Sequence, residues 1–457
     1  MSVFSSSLKT SIIDPQFHSE NRCEFRLENR GQAYMPTLRI GNIGLSKTGV
    51  SPNAYHFGAG TSSVISRIRL MDGNEELDSL RNVAQWLTFK GALKTNSQNT
   101  NVFNHLNGDN QGWVYGETGE LLEANTKQVR QGDDATTGSL DLRECFGFLN
   151  NISHLSTNLF KNLRVIIEYV PNTALQLLVN SQVAADVTGI LKVVPILICD
   201  EITDNALVAT LDRQLTSANW VAVEHDLANM PRAFDPAGAT VATTATQRVQ
   251  LRINGFQDKT VSRLLIAKCY EDTGPNGPNV NQGAVGPNEV KALGGYGSKA
   301  LHRERFNIRL NGRNVLAGDG LTTPAQATMM LSDTWGALDM CPFQNTENCG
   351  RDTSYATTAL NIVGINPTVP SVLTTAPAAL NTGTGPQQGY WISNSAWIGV
   401  PIQDRVTDLQ IDLERVGTYS TGTSSSAGNF QALNLHLFGE VSKGMSVSGN
   451  SYRIFYS

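Results

Sequence analysis

The feature that most constrains this chain is a strand, turn and strand pattern that occurs twice. In the first copy, Ile68-Arg69-Leu70 lies in an alternating apolar and polar run and is followed by Asp72-Gly73. In the second copy, Ile308-Arg309-Leu310 is followed by Asn311-Gly312. The offset between the copies, 308 minus 68, is 240 residues. Alternating residues around Asp-Gly or Asn-Gly are typical of a β-hairpin with a tight turn, so we expect one such hairpin in each half.

Three further pairs of segments keep the same order along the chain at similar offsets. They are Leu163–Val170 with Leu409–Val416 at 246 residues, Leu191–Ile202 with Leu433–Gly444 at 242, and, more weakly, the segments that begin at Phe25 and Leu251 at 226. Four pairs in one order predict a duplication, in which two copies of one all-β unit follow each other. The alternative is two unrelated β domains.

Length and composition agree with two domains packed against other protein. A chain of 457 residues is long enough for two domains of about 200 residues, each with its own core. We predict a first domain at residues 1–215, with a polar N-terminal arm at 1–22, and a second at 216–457, with a connecting stretch at 203–246. Charged residues are 16% of the chain, against roughly 25% in an average globular protein. Such a surface suits a chain that packs against copies of itself.

Charge, hydropathy and cysteine usage limit the classes of function. The formal net charge of -5 provides no global basic field for nucleic acid, so we expect no sequence-specific nucleic-acid binding. No apolar run has the length of a signal peptide core or a membrane span, which predicts a soluble protein made in the cytoplasm. The six cysteines are dispersed along the chain and are expected to be reduced, mostly buried thiols.

Two long polar stretches interrupt the strand pattern, at Thr95–Ser139 and Thr322–Tyr390. Loops of this length inside a compact domain are uncommon unless they have a function. Between the strands we expect short helices. One runs from Leu80 to about Leu93 with Ser79 as its N-cap, and another has one face formed by Leu142, Cys145, Phe146 and Leu149. The apolar run Leu191–Ile202 predicts a strand that is buried on both faces.

The residue patterns that would indicate an enzyme or a metal site are not convincing. Cys341 and Cys349, with Asp339 nearby, do not have the spacing of the ligands in a zinc site. His436 alternates within a strand and is expected to be an outward polar residue, and the other histidines are scattered. The Gly-rich stretches at 58–60 and 294–297 lack the context of a phosphate-binding loop.

Glu168 and Glu414 stand at matched positions in the two copies and could suggest a glycosidase pair. A duplication places them in different domains, so they cannot face each other across one sugar. We expect them to pair with Arg164 and Arg415 or to face solvent. The sequence therefore predicts no catalytic, cofactor-binding or metal-binding residue, and no enzyme activity.

The order of segments resembles one known family. The segments IRLMDGNEELDSLRNVAQWL, LFKNLRVIIEYV, FNIRLNGRNVL and NLHLFGEVSKGMSV are similar in kind and order to those of the double jelly-roll major capsid proteins. This family includes the hexon-like proteins of adenoviruses, large double-stranded DNA viruses of eukaryotes, virophages and Polinton-like viruses. In size and in its final segment, the chain is most similar to the virophage and Polinton-like group.

The resemblance implies a specific architecture and role. Each chain would fold as two tandem eight-stranded antiparallel jelly-roll sandwiches, with long inserted loops and a few short helices. Three chains would form a pseudo-hexagonal capsomer, and capsomers would tile an icosahedral shell around a double-stranded DNA genome. The partners would be further copies of the chain together with penton and minor capsid or cement proteins, and the protein would reside in the virion. The loops are modest beside those of adenovirus hexon, so large interlocking towers are not expected.

Two other classes of function remain open from sequence alone. A tandem β-sandwich carbohydrate-binding or fibre protein would need aromatic clusters in its loops, for which Tyr390, Trp391 and Trp397 are the best candidates. A β-sandwich carbohydrate-active enzyme would need a convergent carboxylate pair, which the sequence does not show.

Overall fold

The structure is a computed structural model of the full chain. It describes residues 8–47, 61–83, 86–87, 113–115, 121–123, 136–170, 190–230, 243–270, 304–316, 318, 320–322, 324–335, 398–419 and 433–456. Most of the two long polar stretches at 95–139 and 322–390 lies outside these residues, so the prediction that they are loops is untested there.

The strands of the N-terminal half form two main sheets. They are β1 (Leu8–Ile13), β2 (Phe17–His18), β3 (Arg22–Arg26), β4 (Ala33–Tyr34), β5 (Arg39–Lys47), β6 (Ile65–Asp72), β7 (Glu75–Arg81), β8 (Trp113–Tyr115), β9 (Leu121–Glu123), β10 (Thr136–Asp141), β11 (Leu155–Ser156), β12 (Leu163–Tyr169), β13 (Ile190–Lys192) and β14 (Ile196–Ile202). One sheet has the order β10-β5-β14-β1, and β4, β11 and β13 are attached to it. The other has the order β2-β3-β12-β6-β7, while β8 and β9 form a separate hairpin.

The strands of the C-terminal half repeat this arrangement. They are β15 (Ser217–Met230), β16 (Thr243–Ile253), β17 (Thr260–Tyr270), β18 (Glu304–Leu310), β19 (Arg313–Asn314), β20 (Ile398–Arg405), β21 (Leu409–Tyr419), β22 (Leu433–Ser448) and β23 (Ser451–Tyr456). One sheet has the order β20-β17-β22-β15, with β23 beside β22, and the other has the order β16-β21-β18-β19.

Each half is an eight-stranded jelly roll. The order β10-β5-β14-β1 matches β20-β17-β22-β15, and β3-β12-β6-β7 matches β16-β21-β18-β19, strand for strand. All of these pairings are antiparallel and most connect strands that are distant in sequence, as in a jelly roll. We call the halves the N-terminal roll and the C-terminal roll, and we call the sheets that contain β14 and β22 the inner sheets. The predicted double jelly roll is confirmed.

The duplicated hairpin buries the same alternate face in the two rolls, although its two turns differ in conformation. Ile68, Leu70 and Ile308 are fully buried, and Leu310 is 9% exposed. Gly73 has a φ of 59°, while both central residues of the second turn, Asn311 and Gly312, have positive φ, as a type I′ turn requires. Leu70 is paired with Val165, whereas Leu310 is paired with Leu409. The offsets of 240 and 246 residues would pair Leu310 with Ile411, so the observed pairing is shifted by two residues. A shift of two residues leaves every side chain on the same face of the sheet.

Two features of the predicted element map are wrong. The strand β7 continues through Ser79 and Leu80 to Arg81, and helical residues are described only at Val83, Trp86 and Leu87. Asn82, with a φ of 51°, makes the change of direction. The second predicted helix is divided into a 3₁₀ turn at Leu142–Glu144 and a short helix α1 (Gly147–Asn151), although its four apolar residues are all buried as expected.

The stretches predicted as arm and connection contain regular structure. Leu8–Ile13 in the arm is strand β1. Within 203–246, helix α2 (Asn205–Gln214) begins at Asp204, whose carboxylate accepts hydrogen bonds from the backbone of Ala206 and Leu207, and strand β15 follows. The long stretch after Thr322 holds helix α3 (Pro324–Trp335). Strand β14, before α2, pairs with strands of the N-terminal half, and β15, after α2, pairs with β22 of the C-terminal half. The division into domains at residues 215 and 216 stays a prediction.

The run Leu191–Ile202 is not one strand buried on both faces. Pro195 separates β13 from β14, and Leu191 and Val194 are 43% and 52% exposed. Within β14, Leu197 and Cys199 are fully buried and alternate with partly exposed residues. The apolar composition of this run therefore does not mean that its outer face is buried.

Candidate functional site: the junction between the two rolls

The hydrophobic core of the N-terminal roll extends across the junction onto the C-terminal roll, which also has a separate core of its own. The alternate residues of the inner sheet of the C-terminal roll divide between two cores. Leu264, Ile266 and Leu437 pack inside the C-terminal roll, whereas Leu265 and Phe438 belong to the core of the N-terminal roll. Because neighbouring residues of a strand face opposite ways, the outer face of this inner sheet lies against the N-terminal roll.

Aromatic side chains from both rolls form the centre of the junction. The ring of Trp86, which follows β7, lies 5.6 Å from Phe438 and 5.9 Å from Trp335 at the end of α3. The indole of Trp86 also donates a hydrogen bond of 3.2 Å to the carbonyl of Glu144. Burial of large aromatic rings in such contacts is strongly stabilising, so these residues hold the rolls together.

A second contact is a close backbone approach. Phe148 of α1 packs edge to face on Trp220 of β15, with 5.0 Å between ring centroids. At the start of α1, a Cβ atom on Gly147 would lie 1.8 Å from the carbonyl oxygen of Val221. Only glycine allows this approach of α1 to β15.

The C-terminal hairpin forms a third contact between the rolls. Strand β22 belongs to the C-terminal roll, and β23 folds back along it. On β23, the ring of Tyr452 lies 5.1 Å from Phe160 and its hydroxyl donates a 2.9 Å hydrogen bond to Asp72, both in the N-terminal roll. The last strand of the chain thus connects the two rolls.

A partly buried charge cluster lies beside these contacts. The fully buried carboxylate of Asp78 accepts hydrogen bonds of 2.9 Å from the backbone of Ser79 and Phe148. In the C-terminal roll, Glu224 accepts from Lys443 at 3.2 Å, from Tyr456 at 2.9 Å and from Lys259. Burial raises the pKa of Asp78 to about 7, and the positive charge of Lys443 opposes this. The pKa of Glu224 is lowered by Lys443 and Lys259 in spite of its burial.

His436 alternates with the buried Leu435 and Leu437 and faces outward from the C-terminal roll, as predicted, but it is only partly exposed because the N-terminal roll lies against it. It lies in the junction, where its Nδ1 is 3.1 Å from Nε2 of His225 and 3.1 Å from the amide nitrogen of Asn82 in the N-terminal roll. Burial lowers the pKa of His225 and of His436 to about 3, which keeps both imidazoles neutral. They act here as neutral hydrogen-bonding groups at the boundary of the two rolls.

The matched glutamates are carboxylates on the outer faces of two different sheets. Glu168 on β12 pairs with Arg69 at 2.6 Å rather than with Arg164, which binds Glu24 at 3.0 Å. Glu414 on β21 pairs with Arg248 at 2.7 Å. The two do not converge on one site.

Within the described part of the chain, no group of three or more His, Cys, Asp or Glu side chains could hold a metal ion. The candidates Cys341, Cys349 and Asp339, and the aromatic candidates Tyr390, Trp391 and Trp397, fall outside the described residues. The thiols of Cys23, Cys145 and Cys199 are buried, as expected, and burial raises the pKa of Cys23 and Cys199 to about 12. None of the helices that the structure describes is long and apolar enough to cross a membrane.

Solved structures share this architecture over almost the whole chain. The capsid protein Vp54 of PBCV-1, fitted into a reconstruction of the virophage Sputnik, is similar over 98% of this chain and 97% of its own, with a TM-score of 0.54 and 11% identity. The same values apply to a quasi-atomic model of the PBCV-1 virus capsid. The mavirus major capsid protein aligns over 99% of this chain and 90% of its own, with a TM-score of 0.48 and 10% identity. No protein-family model and no curated protein sequence matches the chain.

This chain has the double jelly-roll fold of viral major capsid proteins. The evidence for this fold is the similarity over nearly the full length of both chains, together with the matching strand orders of the two rolls. The resemblance inferred from the sequence is therefore confirmed for the fold. At 11% identity the likeness extends to the arrangement of strands and not to particular side chains.

Sequence reasoning located the rolls but missed their junction. The available signal was in β22, where Leu437 and Phe438 are adjacent apolar residues in an otherwise alternating strand. Adjacent apolar residues on opposite faces indicate that both faces of a sheet are covered. Nothing local indicated that Trp86 covers the outer face.

Proposed function

We propose that this protein is a viral major capsid protein that assembles as pseudo-hexagonal homotrimers, which tile an icosahedral shell around a double-stranded DNA genome. The observation that carries the proposal is the junction, which holds two rolls of the same strand order side by side through a hydrophobic cluster to which both rolls contribute. A chain with two similar lobes in a fixed arrangement gives six similar lobes when three chains surround a threefold axis. Such an outline fits a shell built from nearly hexagonal tiles.

The proposed role is structural, and shape and self-association are its whole mechanism. Penton and minor capsid or cement proteins are the further partners, the virion is its location, and its synthesis takes place in the host cytoplasm. The charged outer faces, in which arginines pair with carboxylates, support contact with other protein rather than with a polyanion.

Light scattering on the purified chain tests the proposal. A homotrimer has a mass of about 150 kDa, three times the 49.5 kDa of the chain. We expect this species at micromolar concentration, and closed shells in negative stain at a suitable ionic strength. A stable monomer that forms no particles at any salt concentration would contradict the proposal and would favour a carbohydrate-binding sandwich protein.

A further inference from the structure

The sheet β2-β3-β12-β6-β7 of the N-terminal roll carries an excess of positive charge on the face that points away from the core. Because neighbouring residues of a strand face opposite ways, its outward residues form three rows across the paired strands. We call this surface the arginine face. It holds six arginines and three glutamates, and six minus three leaves a formal charge of +3: Arg22, Arg26, Arg67, Arg69, Arg81 and Arg164, with Glu24, Glu76 and Glu168.

The ion pairs within the arginine face use only part of each guanidinium group. Arg69 binds Glu168 through Nη2 at 2.6 Å, and Arg67 binds Glu76 through Nη2 at 2.9 Å. Four of the side chains have a buried Nε–H group without a hydrogen-bond partner, namely those of Arg22, Arg67, Arg69 and Arg164. A buried donor without an acceptor is destabilising, so these groups are poised to accept a further anionic partner.

Arginines elsewhere on the strands are satisfied by carboxylates of their own sheet. On the matching sheet of the C-terminal roll, Nε of Arg248 donates a 2.7 Å hydrogen bond to Glu414, and Nε of Arg309 is 3.0 Å from Asp412. On β17, Arg263 donates from Nε and from Nη2 to the two oxygens of Glu440. Within the described part of the chain, every buried arginine Nε without a partner lies on the arginine face.

The arginine face is open and has the composition of a protein-binding surface. Arg26 and Arg81 are exposed, and neither forms an ion pair with a described residue. Phe17 on the edge strand β2 is 52% exposed and pairs with Glu24 of the face. Arginine and aromatic residues without lysine are typical of surfaces that bind other proteins.

We propose that the arginine face binds an acidic protein segment that lies extended along the strands, with carboxylates at alternate residues. Alternate residues of an extended chain are about 7 Å apart, and Arg67 and Arg69 have this same spacing along β6. A carboxylate binds a guanidinium group through two parallel hydrogen bonds, for which the unpaired Nε–H groups are suited. Their side chains are 22% to 41% exposed, so a change of rotamer brings Nε to the surface.

The glutamates of the arginine face determine which class of anion fits. Glu24, Glu76 and Glu168 lie between the arginines, so a continuous polyanion such as nucleic acid would meet like charges along its length. Separate carboxylates on a polypeptide can match the arginines and avoid the glutamates. Charge complementarity therefore favours an acidic protein segment.

The inference goes beyond the proposed function and does not depend on it. The test measures binding of a fluorescently labelled peptide of alternating Glu and Thr to the full chain, by fluorescence anisotropy at low ionic strength. A peptide with Gln in place of Glu is the matched control. Arg26→Glu and Arg81→Glu reverse a charge on the face without breaking an ion pair, and Arg313→Glu does the same for an exposed arginine of β19 in the C-terminal roll. Circular dichroism verifies that the variants fold.

We expect the Glu peptide to bind at micromolar concentration and the Gln peptide not to bind. Arg26→Glu and Arg81→Glu should each raise the dissociation constant about fivefold or more, whereas Arg313→Glu should leave it within about twofold. Added salt should weaken the binding, because exposed charges are screened.

Three results would overturn the inference: no binding of the Glu peptide, equal binding of the Gln peptide, or equal affinity of native chain, Arg26→Glu and Arg81→Glu. Tighter binding of single-stranded DNA that both variants abolish would also overturn it, since the face would then recognise a polyanion. A trimer that does not bind the Glu peptide leaves the capsid proposal intact. A monomer that binds the peptide through this face but forms no particles contradicts the capsid proposal and leaves the inference standing.

Discussion

At the scale of single residues, the junction depends on a few side chains that local patterns do not reveal. Gly147 is an ordinary residue in the sequence, yet it sits where a Cβ would meet the carbonyl oxygen of Val221. Asp78 is one of many carboxylates in the sequence, yet it is fully buried and bonded to the backbone of α1. The role of Gly147 arises from a contact between the rolls, and that of Asp78 from a contact between distant segments of the N-terminal roll, so neither could be predicted from neighbours along the chain.

Gly147→Ala should destabilise the junction. The added methyl group overlaps a backbone atom, which cannot rotate away, so α1 or β15 must shift at a cost of about 1–3 kcal/mol or more. Chemical denaturation of Gly147→Ala and Asn151→Ala measures the effect, since Asn151 is an exposed residue of the same helix. Equal stability of the two variants would show that α1 does not approach β15 this closely.

The pH dependence of stability should carry the signature of Asp78. Its pKa of about 7 in the folded chain is above the value of about 3.9 in an unfolded chain, so the folded state holds the proton more tightly. The stability that this proton provides is fully present below about pH 4 and is lost as the pH rises towards 7. Each pKa unit corresponds to about 1.4 kcal/mol.

Asp78→Asn is the variant that isolates this contribution. Unfolding free energies measured from pH 4.5 to 8 should show the native chain losing stability relative to Asp78→Asn across that window and no further change above it. Glu224 acts in the opposite direction, because its pKa is lowered and its contribution is lost only as the pH falls below its ordinary range. A constant difference between native chain and variant would mean that Asp78 is ionised in the fold at all of these pH values.

At the scale of elements, the sequence correctly predicted the strands for which the local residue pattern agrees with the pairing in the sheet. The hairpins of β6 with β7 and of β18 with β19 have both the alternation and the turn residues, and they lie where expected. The start predicted for the helix at Leu80 is wrong because pairing with β6 extends β7 to Arg81, although the described residues Val83, Trp86 and Leu87 are helical. Pairing of β7 with β6 extends past Ser79, the residue that the sequence pattern indicated as the helix N-cap. The Ser79 hydroxyl instead donates a hydrogen bond to Glu76.

Strand β23 should be necessary for a rigid junction. Ending the chain after Gly449 removes Tyr452 and Tyr456, which contact the N-terminal roll and the charge cluster respectively. Hydrogen exchange should then become faster in β15 and in the second half of β22, while the strands of the N-terminal roll away from the junction keep their protection.

Tyr452→Phe is the matched control for this truncation. It keeps the ring against Phe160 and removes only the hydrogen bond to Asp72, for which we expect a loss of about 0.5–1.5 kcal/mol. Unchanged exchange rates in the truncated chain would show that the aromatic contacts of Trp86 are sufficient to fix the two rolls.

At the scale of the whole molecule, the duplication is the property on which the proposed assembly depends. Composition and the repeated segments predicted two all-β units, and the strand orders of the two rolls agree with that prediction. The fixed relation between the rolls could not be predicted, because it depends on residues as distant in sequence as Asn82 and His436. The proposed trimer requires this fixed relation, because only then would three chains place six lobes in a regular ring.

Electron microscopy of the purified protein, with two-dimensional class averages viewed along the symmetry axis, shows directly whether three chains form a ring. We expect a threefold particle with six similar lobes in a nearly hexagonal outline, in which lobes of the two kinds alternate. Averages that show a twofold dimer, an open chain of lobes or a particle with only two lobes would contradict this expectation.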